Sequence, residues 1–165
     1  MIKKIKASKS EKVLFVFILI LGFSSLISFL LLKDKCLFIK NYDPQKINFK
    51  DPGNIAVLNV ECGNVIIELY PNISPNGVKR FKTLIQAGAY NNIAFHRVIK
   101  DKLVQAGDLE FGKKNNLNYA YIGTGKSGHG TINSELEKKF NFKKGTVALA
   151  RTDEKNTEDS QFFIL

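Results

Sequence analysis

Residues Val13 to Leu32, VLFVFILILGFSSLISFLLL, run for 20 positions without a charge. As a helix rising 1.5 Å per residue, this segment spans about 30 Å, the thickness of the hydrocarbon layer of a bilayer. Lys3, Lys4, Lys6, Lys9 and Lys12 precede it, opposed only by Glu11. That asymmetry predicts a basic cytoplasmic tail at 1–12, a single-pass transmembrane anchor at 13–32 and an extracytoplasmic remainder, on the periplasmic side in a bacterium. A cleaved signal peptide fits less well, because the apolar run is long and its exit, LLKDKC, lacks the small residues of a cleavage site. Lys33, Asp34 and Lys35 before Cys36 also disagree with lipoprotein processing.

The net charge of +10 invites a nucleic-acid reading, but its distribution argues otherwise. Residues 1–40 hold eight lysines against two acids, so most of the excess belongs to the N-terminal appendage. Residues 33–53 carry two Asp-Pro pairs, mixed charge and no hydrophobic period, which predicts a stalk. The chain has two cysteines, Cys36 and Cys62. A disulfide is permitted outside the cytoplasm, but two cysteines make no framework, and free, structurally incidental thiols are expected.

From residue 54 the pattern becomes that of a folded domain. Ile55–Val60 and Val65–Tyr70 are short apolar runs joined by ECGN, which predicts a hairpin. In SPNGVKRFKTLIQAGAY, Ser74 suits a helix cap, Pro75 its first turn and Gly88 its end. Val78, Phe81, Leu84 and Ile85 are expected on one buried stripe. Strand signals follow in IAFHRVI, KLVQAG, GTVALAR and SQFFIL. One helix among many short strands predicts a mainly β domain, an antiparallel barrel or sandwich at 54–165. In the last strand, alternation sets Gln161 and Phe163 on one face and Phe162 and Ile164 on the other.

GTGKS, Gly123 to Ser127, has only the end of a phosphate-binding loop. The leading glycine that such a loop needs is Ala120, and GHGT afterwards resists a helix. A Gly-rich surface loop is expected, without nucleotide. Two histidines without cysteine or carboxylate clusters predict no metal site.

The ordered segments GNVIIELYP, SPNGVKRFKTLI, AFHRVIKDKLVQAGD and GTVALARTDEKNTEDSQFFI resemble the cyclophilins, a family of peptidyl-prolyl isomerases, from about Ala56 to Ile164. The resemblance implies a cyclophilin-like antiparallel barrel capped by helices, with a face that binds Xaa-Pro in proline-containing polypeptides and requires no cofactor. By the same resemblance Arg97 is the catalytic donor and Gln105 holds it against the substrate backbone. Leu103 and Phe163 line the proline slot, Ala150 lets the peptide lie close, and Gln161 joins the substrate-binding face. His96 is implied to be structural and satisfied, and His129 exposed.

Lys102 departs from the family by standing where an aromatic residue usually lines the pocket, and Ala106 replaces a common glycine. Asp108 to Gly125 is longer than many relatives have at this place. In the family the SQFFI strand is followed by a second helix and closing strands, whereas Leu165 ends the sequence here. The resemblance therefore implies a barrel incomplete at its C-terminus, with a gene fragment or incomplete reading frame as the explanation and poor folding expected of the chain alone. Two functions remain open: an anchored prolyl isomerase assisting the folding of exported proteins, and a non-catalytic peptide-binding or chaperone-like module or inactive fragment.

Overall fold

The computed structural model describes residues 8–33, 36, 39–40, 42–136 and 140–165. Lys3, Lys4 and Lys6 of the basic tail, and Asp34 and Lys35 of the stalk, lie outside the described residues. The chain divides into two compact units, residues 1–48 with 57–66, and residues 49–56 with 67–165.

The first unit contains helix α1, Lys9–Lys33, which is long and apolar enough to cross a membrane by length and composition. Its start has a sequence reason that the run of apolar residues conceals. The Glu11 N–H donates to Ser8 Oγ (3.2 Å), and the Ser8 N–H donates to the Glu11 carboxylate (2.7 Å). Ser-x-x-Glu is the reciprocal capping box, so the helix begins inside the expected tail, four residues before the first apolar position. None of its residues is buried by protein.

Strands β1 (Ile55–Val60) and β2 (Gly63–Glu68) pair into a two-stranded sheet. The turn is tighter than ECGN suggests. Only Glu61 and Cys62 lie between the strands, and Gly63 takes a φ of 145°, which favours glycine. This turn corrects the reading of the cysteines. Cys62 is not a free thiol but is joined to Cys36 in a disulfide, with Cα atoms 5.0 Å apart. A two-residue turn places Cys62 at the hairpin tip, and the Cα separation falls in the range that a disulfide spans.

In the second unit, helix α2 (Pro75–Gln86) buries Val78, Phe81 and Leu84. Ile85, expected on the same stripe, is 40% exposed, because it lies a further 100° round the helix from Leu84. The helix ends as the sequence suggests, with Gly88 at φ 66°. Its start is capped differently. Ser74 makes no side-chain bond to the helix backbone. Glu135, 61 residues away, accepts from the Ser74 hydroxyl (2.6 Å) and from the N–H groups of Asn76 (2.8 Å) and Gly77 (3.0 Å). A carboxylate there satisfies orphan donors and meets the positive end of the helix dipole.

Four further strands form an antiparallel sheet: β3 (Arg97–Ile99), β4 (Leu103–Ala106), β5 (Val147–Leu149) and β6 (Phe162–Ile164), ordered β3-β4-β6-β5. The expected strands are present, each shorter than its apolar run, and among the described residues the sheet does not close into a barrel. On its inner face Phe162 meets the helix. Phe81, Tyr90 and Phe162 form a three-ring cluster with centroids 5.2 to 5.5 Å apart, two of the three pairs edge-to-face. Phe162 is buried and Phe163 only half-buried, as the alternation of the strand requires.

Candidate active site

The register of the sheet assembles the site. Arg97 on β3 lies opposite Gln105 on β4, Gln105 opposite Phe163 on β6, and Phe163 opposite Ala148 on β5. Residues directly opposite one another share a face, as do residues two apart along a strand. Leu103, Gln161 and Ala150 are therefore on this same face, and Ala150 lies beside Gln161, donating its N–H to the Gln161 carbonyl (2.7 Å). All six residues singled out from the sequence are brought to one side of one sheet.

Their polar atoms form a chain. Arg97 Nη1 donates to Gln105 Oε1 (3.3 Å), and Gln105 Nε2 donates to Gln161 Oε1 (3.0 Å). Gln161 Nε2 donates to the carbonyls of Gly123 (2.9 Å) and Gly125 (3.1 Å). The amide of Gln161 is thus engaged at both ends by the protein itself. Arg97 is exposed and makes no ion pair among the described residues, so its fixed charge faces the groove uncompensated.

The apolar side of the site has members that the sequence reading missed. The Phe142 ring stands edge-on to Phe163, 6.2 Å between centroids, and Phe140 stands against Phe142 at 5.9 Å. The alternation in Phe-Asn-Phe before β5 was the available signal. Ala148, not only Ala150, supplies the small side chain beside Phe163. Lys102 is exposed in the β3–β4 turn. Arg97, Leu103, Gln105, Ala150 and Phe163 line a cavity of about 720 Å³ that continues to Phe81 and Phe162 on the inner side. That is the volume of a pocket for a sizeable ligand, well beyond one pyrrolidine ring.

The GTGKS loop is already filled with anions of the protein's own. Asp108, fully buried, accepts from the N–H groups of Gly123 (2.6 Å) and Gly125 (3.0 Å) on one oxygen, and from those of Glu110 (3.1 Å) and Phe111 (2.8 Å) on the other. Lys126 N–H donates to Glu110, and Ser127 N–H to Asp159. The N–H groups that a phosphate would use are therefore spoken for. His96 packs against Gly123 with both ring nitrogens buried. Neither nitrogen closes a hydrogen bond of ordinary geometry among the described residues, although the Gln161 side chain and the Ala94 backbone stand close enough to act on the ring. Burial lowers the pKa of the imidazole against the pull of Asp108. His129 is exposed, as expected. Among the described residues no group of His, Cys, Asp and Glu could hold a metal ion.

Burial alone would raise the pKa of Asp108 and of Glu135. Four backbone donors outweigh it at Asp108, and the Ser74 hydroxyl with the Gly77 and Asn76 N–H groups outweighs it at Glu135, so both lie below the ordinary carboxylate range. A depressed pKa in the folded state contributes stability above the unfolded value, and that stability is lost as pH falls through the folded value. The expected outcome is a flat stability profile near neutrality and a steep loss below about pH 4, read by denaturant titration at successive pH values. Glu135→Gln should flatten part of that acid limb.

Comparison with known proteins agrees with this geometry. Residues 55–165 match the model of the cyclophilin type peptidyl-prolyl cis-trans isomerase/CLD family. A probable peptidyl-prolyl cis-trans isomerase of Brucella suis is 39% identical over 122 residues, covering 73% of this chain and 62% of the relative. A peptidyl-prolyl cis-trans isomerase of Acinetobacter baylyi is 34% identical over 112 residues, 68% of this chain and 54% of the relative. The chain thus spans about three fifths of the length of the Brucella relative and about half of the Acinetobacter one. Among solved structures, a cyclophilin type peptidyl-prolyl cis-trans isomerase of Cryptosporidium parvum, crystallised with the dipeptide Ala-Pro, superposes with a TM-score of 0.52 at 27% identity. That superposition covers 62% of this chain and 61% of the other. With its open antiparallel sheet, its capping helix and its row of Arg97, Gln105 and Phe163, the chain belongs to the cyclophilin-type peptidyl-prolyl cis-trans isomerase family.

Proposed function

We propose that the protein is a membrane-anchored peptidyl-prolyl isomerase that turns Xaa-Pro bonds of exported polypeptides and so assists their folding. The single observation that carries this reading is the cross-strand row in which a held guanidinium stands beside an apolar ring. An Xaa-Pro bond rotates over a barrier of about 18–20 kcal/mol because the amide is conjugated. Twisting the bond localises the lone pair on the imide nitrogen. A donor aimed at that nitrogen binds the twisted state more strongly than the planar one, and this difference is what lowers a barrier. Arg97 serves as that donor, Gln105 keeps it in place, and Phe163 with Leu103 and Phe142 receives the ring. Ala148 and Ala150 leave room for the flanking peptide backbone. No covalent step is involved. The test is an isomerisation assay of the full chain in detergent on a peptide containing Ala-Pro, with acceleration over the uncatalysed rate expected.

Helix α1 supports anchoring, with the N-terminus cytoplasmic, and the Cys36–Cys62 disulfide supports an oxidising, extracytoplasmic location for the domain. In intact cells a membrane-impermeant maleimide is expected to label the two cysteines only after external reduction. Labelling without reduction would overturn the disulfide, and no labelling after reduction would overturn the assigned sidedness.

The exposure of Lys102, where the family usually carries an aromatic residue of the pocket, favours a second reading, in which the groove holds peptides without turnover. Saturable peptide binding by a chain that gives no rate acceleration would select it.

A further inference from the structure

Arg97 has one side-chain hydrogen bond among the described residues, to an amide oxygen, and that amide could in principle be turned round. What sets its direction lies further along the same face, beyond Gln161. Carbonyl oxygens only accept, so Gly123 and Gly125 oblige Gln161 to present its NH₂ group to them. The Gln161 oxygen then faces Gln105, which must in turn present its own NH₂. The Gln105 oxygen is left facing Arg97, which can only donate. Both ends of the chain demand the same polarity, and reversing either glutamine would set like against like at two contacts.

The two carbonyls are themselves aimed by Asp108. Its carboxylate takes the N–H groups of Gly123 and Gly125, drawing the loop inward so that their carbonyls point to Gln161. The fit is close enough that a Cβ at residue 125 would overlap Asp108 Oδ1, and Gly123 sits at φ 98°. Asp108 is fully buried, and its side chain contacts neither Arg97 nor the groove in any hydrogen bond.

We propose that Asp108 is a positioning residue that orients Arg97 through the Gly123–Gly125 backbone, Gln161 and Gln105. Gln161, on this account, orients the donor and does not itself hold substrate. The proposal rests on the isomerase reading for its kinetic consequence and on the hydrogen-bond chain for its structural one, and the two are tested separately.

The experiment uses the full chain in detergent micelles with three variants. Asp108→Asn places an NH₂ group against N–H donors. Gln161→Met keeps the size of the side chain and cannot pass the polarity on. Gln161→Glu accepts from Gln105 but cannot donate to the glycine carbonyls. The expected kinetic result is a fall in kcat of roughly tenfold for each, with KM changed much less, because the donor is misdirected only when the bond twists. The expected spectroscopic result, read by ¹⁵N side-chain NMR without substrate, is a shift of the Gln105 amide signals and loss of a distinct Arg97 Nη–H signal in Asp108→Asn and in both Gln161 variants. Unchanged Arg97 and Gln105 signals overturn the proposal whatever the activity. Unchanged kcat in folded Gln161→Met also overturns it. Should Asp108→Asn fail to fold, the Gln161 variants decide the relay and Gly125→Ala, expected to displace Asp108, decides its anchor by the same signals. Absence of turnover in the unsubstituted chain would count against the isomerase reading alone, and the NMR signals would still judge the relay.

Discussion

Arg97→Ala is expected to lower kcat/KM for Xaa-Pro isomerisation by about 10²- to 10³-fold, the loss typical of removing one preorganised donor from a site of developing charge. Most of the loss should appear in kcat. The guanidinium meets a poor acceptor while the amide is planar and a good one once it twists, so the interaction belongs to the transition state. Arg97→Lys should recover little. An ammonium ion lacks the planar fork that can bond Gln105 with one N–H while directing another at substrate. Near neutral pH the rate of the unsubstituted chain should be flat, because a guanidinium keeps its charge throughout that range. A substituted chain retaining half of the original activity would remove Arg97 from the mechanism.

The roles given to these residues come from the resemblance to the cyclophilins, while their placement on one face follows from short-range logic. Strand alternation fixes which of Gln161, Phe162 and Phe163 share a face, and Arg97 and Gln105 lie eight residues apart across one tight turn, so their pairing follows once the two strands are recognised. What stayed hidden depends on long-range meetings that no local pattern encodes. Glu135 reaches the start of α2 from 61 residues away and does the work assigned to Ser74. Cys36 meets Cys62 at the tip of the hairpin, 26 residues away. The N–H groups of the GTGKS glycines converge on an anion of the protein's own, Asp108, 15 residues before Gly123 in the chain, a meeting that the loop's sequence does not announce. Phe142 sits in a polar stretch and acquires its partner, Phe163, through the pairing of β5 with β6. Ser8 and Glu11 show the converse case, a cap written entirely in local sequence as Ser-x-x-Glu.

The largest effect on stability is expected at Arg80, outside the site. Its side chain is 13% exposed and pairs with Asp159, which is 5% exposed. The same guanidinium donates to the carbonyls of Gly130 (2.7 Å) and His129 (3.1 Å), so one residue of α2 holds the second half of the glycine loop. Arg80→Met keeps the aliphatic stem and removes the charge. Asp159 is then left buried without its cation, a situation that costs about 3–5 kcal/mol. The lower end of that range is expected, because the N–H and hydroxyl of Ser127 continue to donate to the stranded carboxylate. Chemical unfolding of the full chain in detergent, followed by tyrosine fluorescence, measures the change, since Tyr90 reports on the ring cluster with Phe81 and Phe162. The penalty in this account comes from the stranded charge and not from the lost attraction, and a second substitution separates the two. Asp159→Asn added to Arg80→Met removes the charge yet keeps an oxygen for Ser127, so the double variant should be more stable than Arg80→Met alone. A double variant less stable than the single one would mean that the ion pair contributes through its own attraction and that burial of the lone carboxylate costs little here.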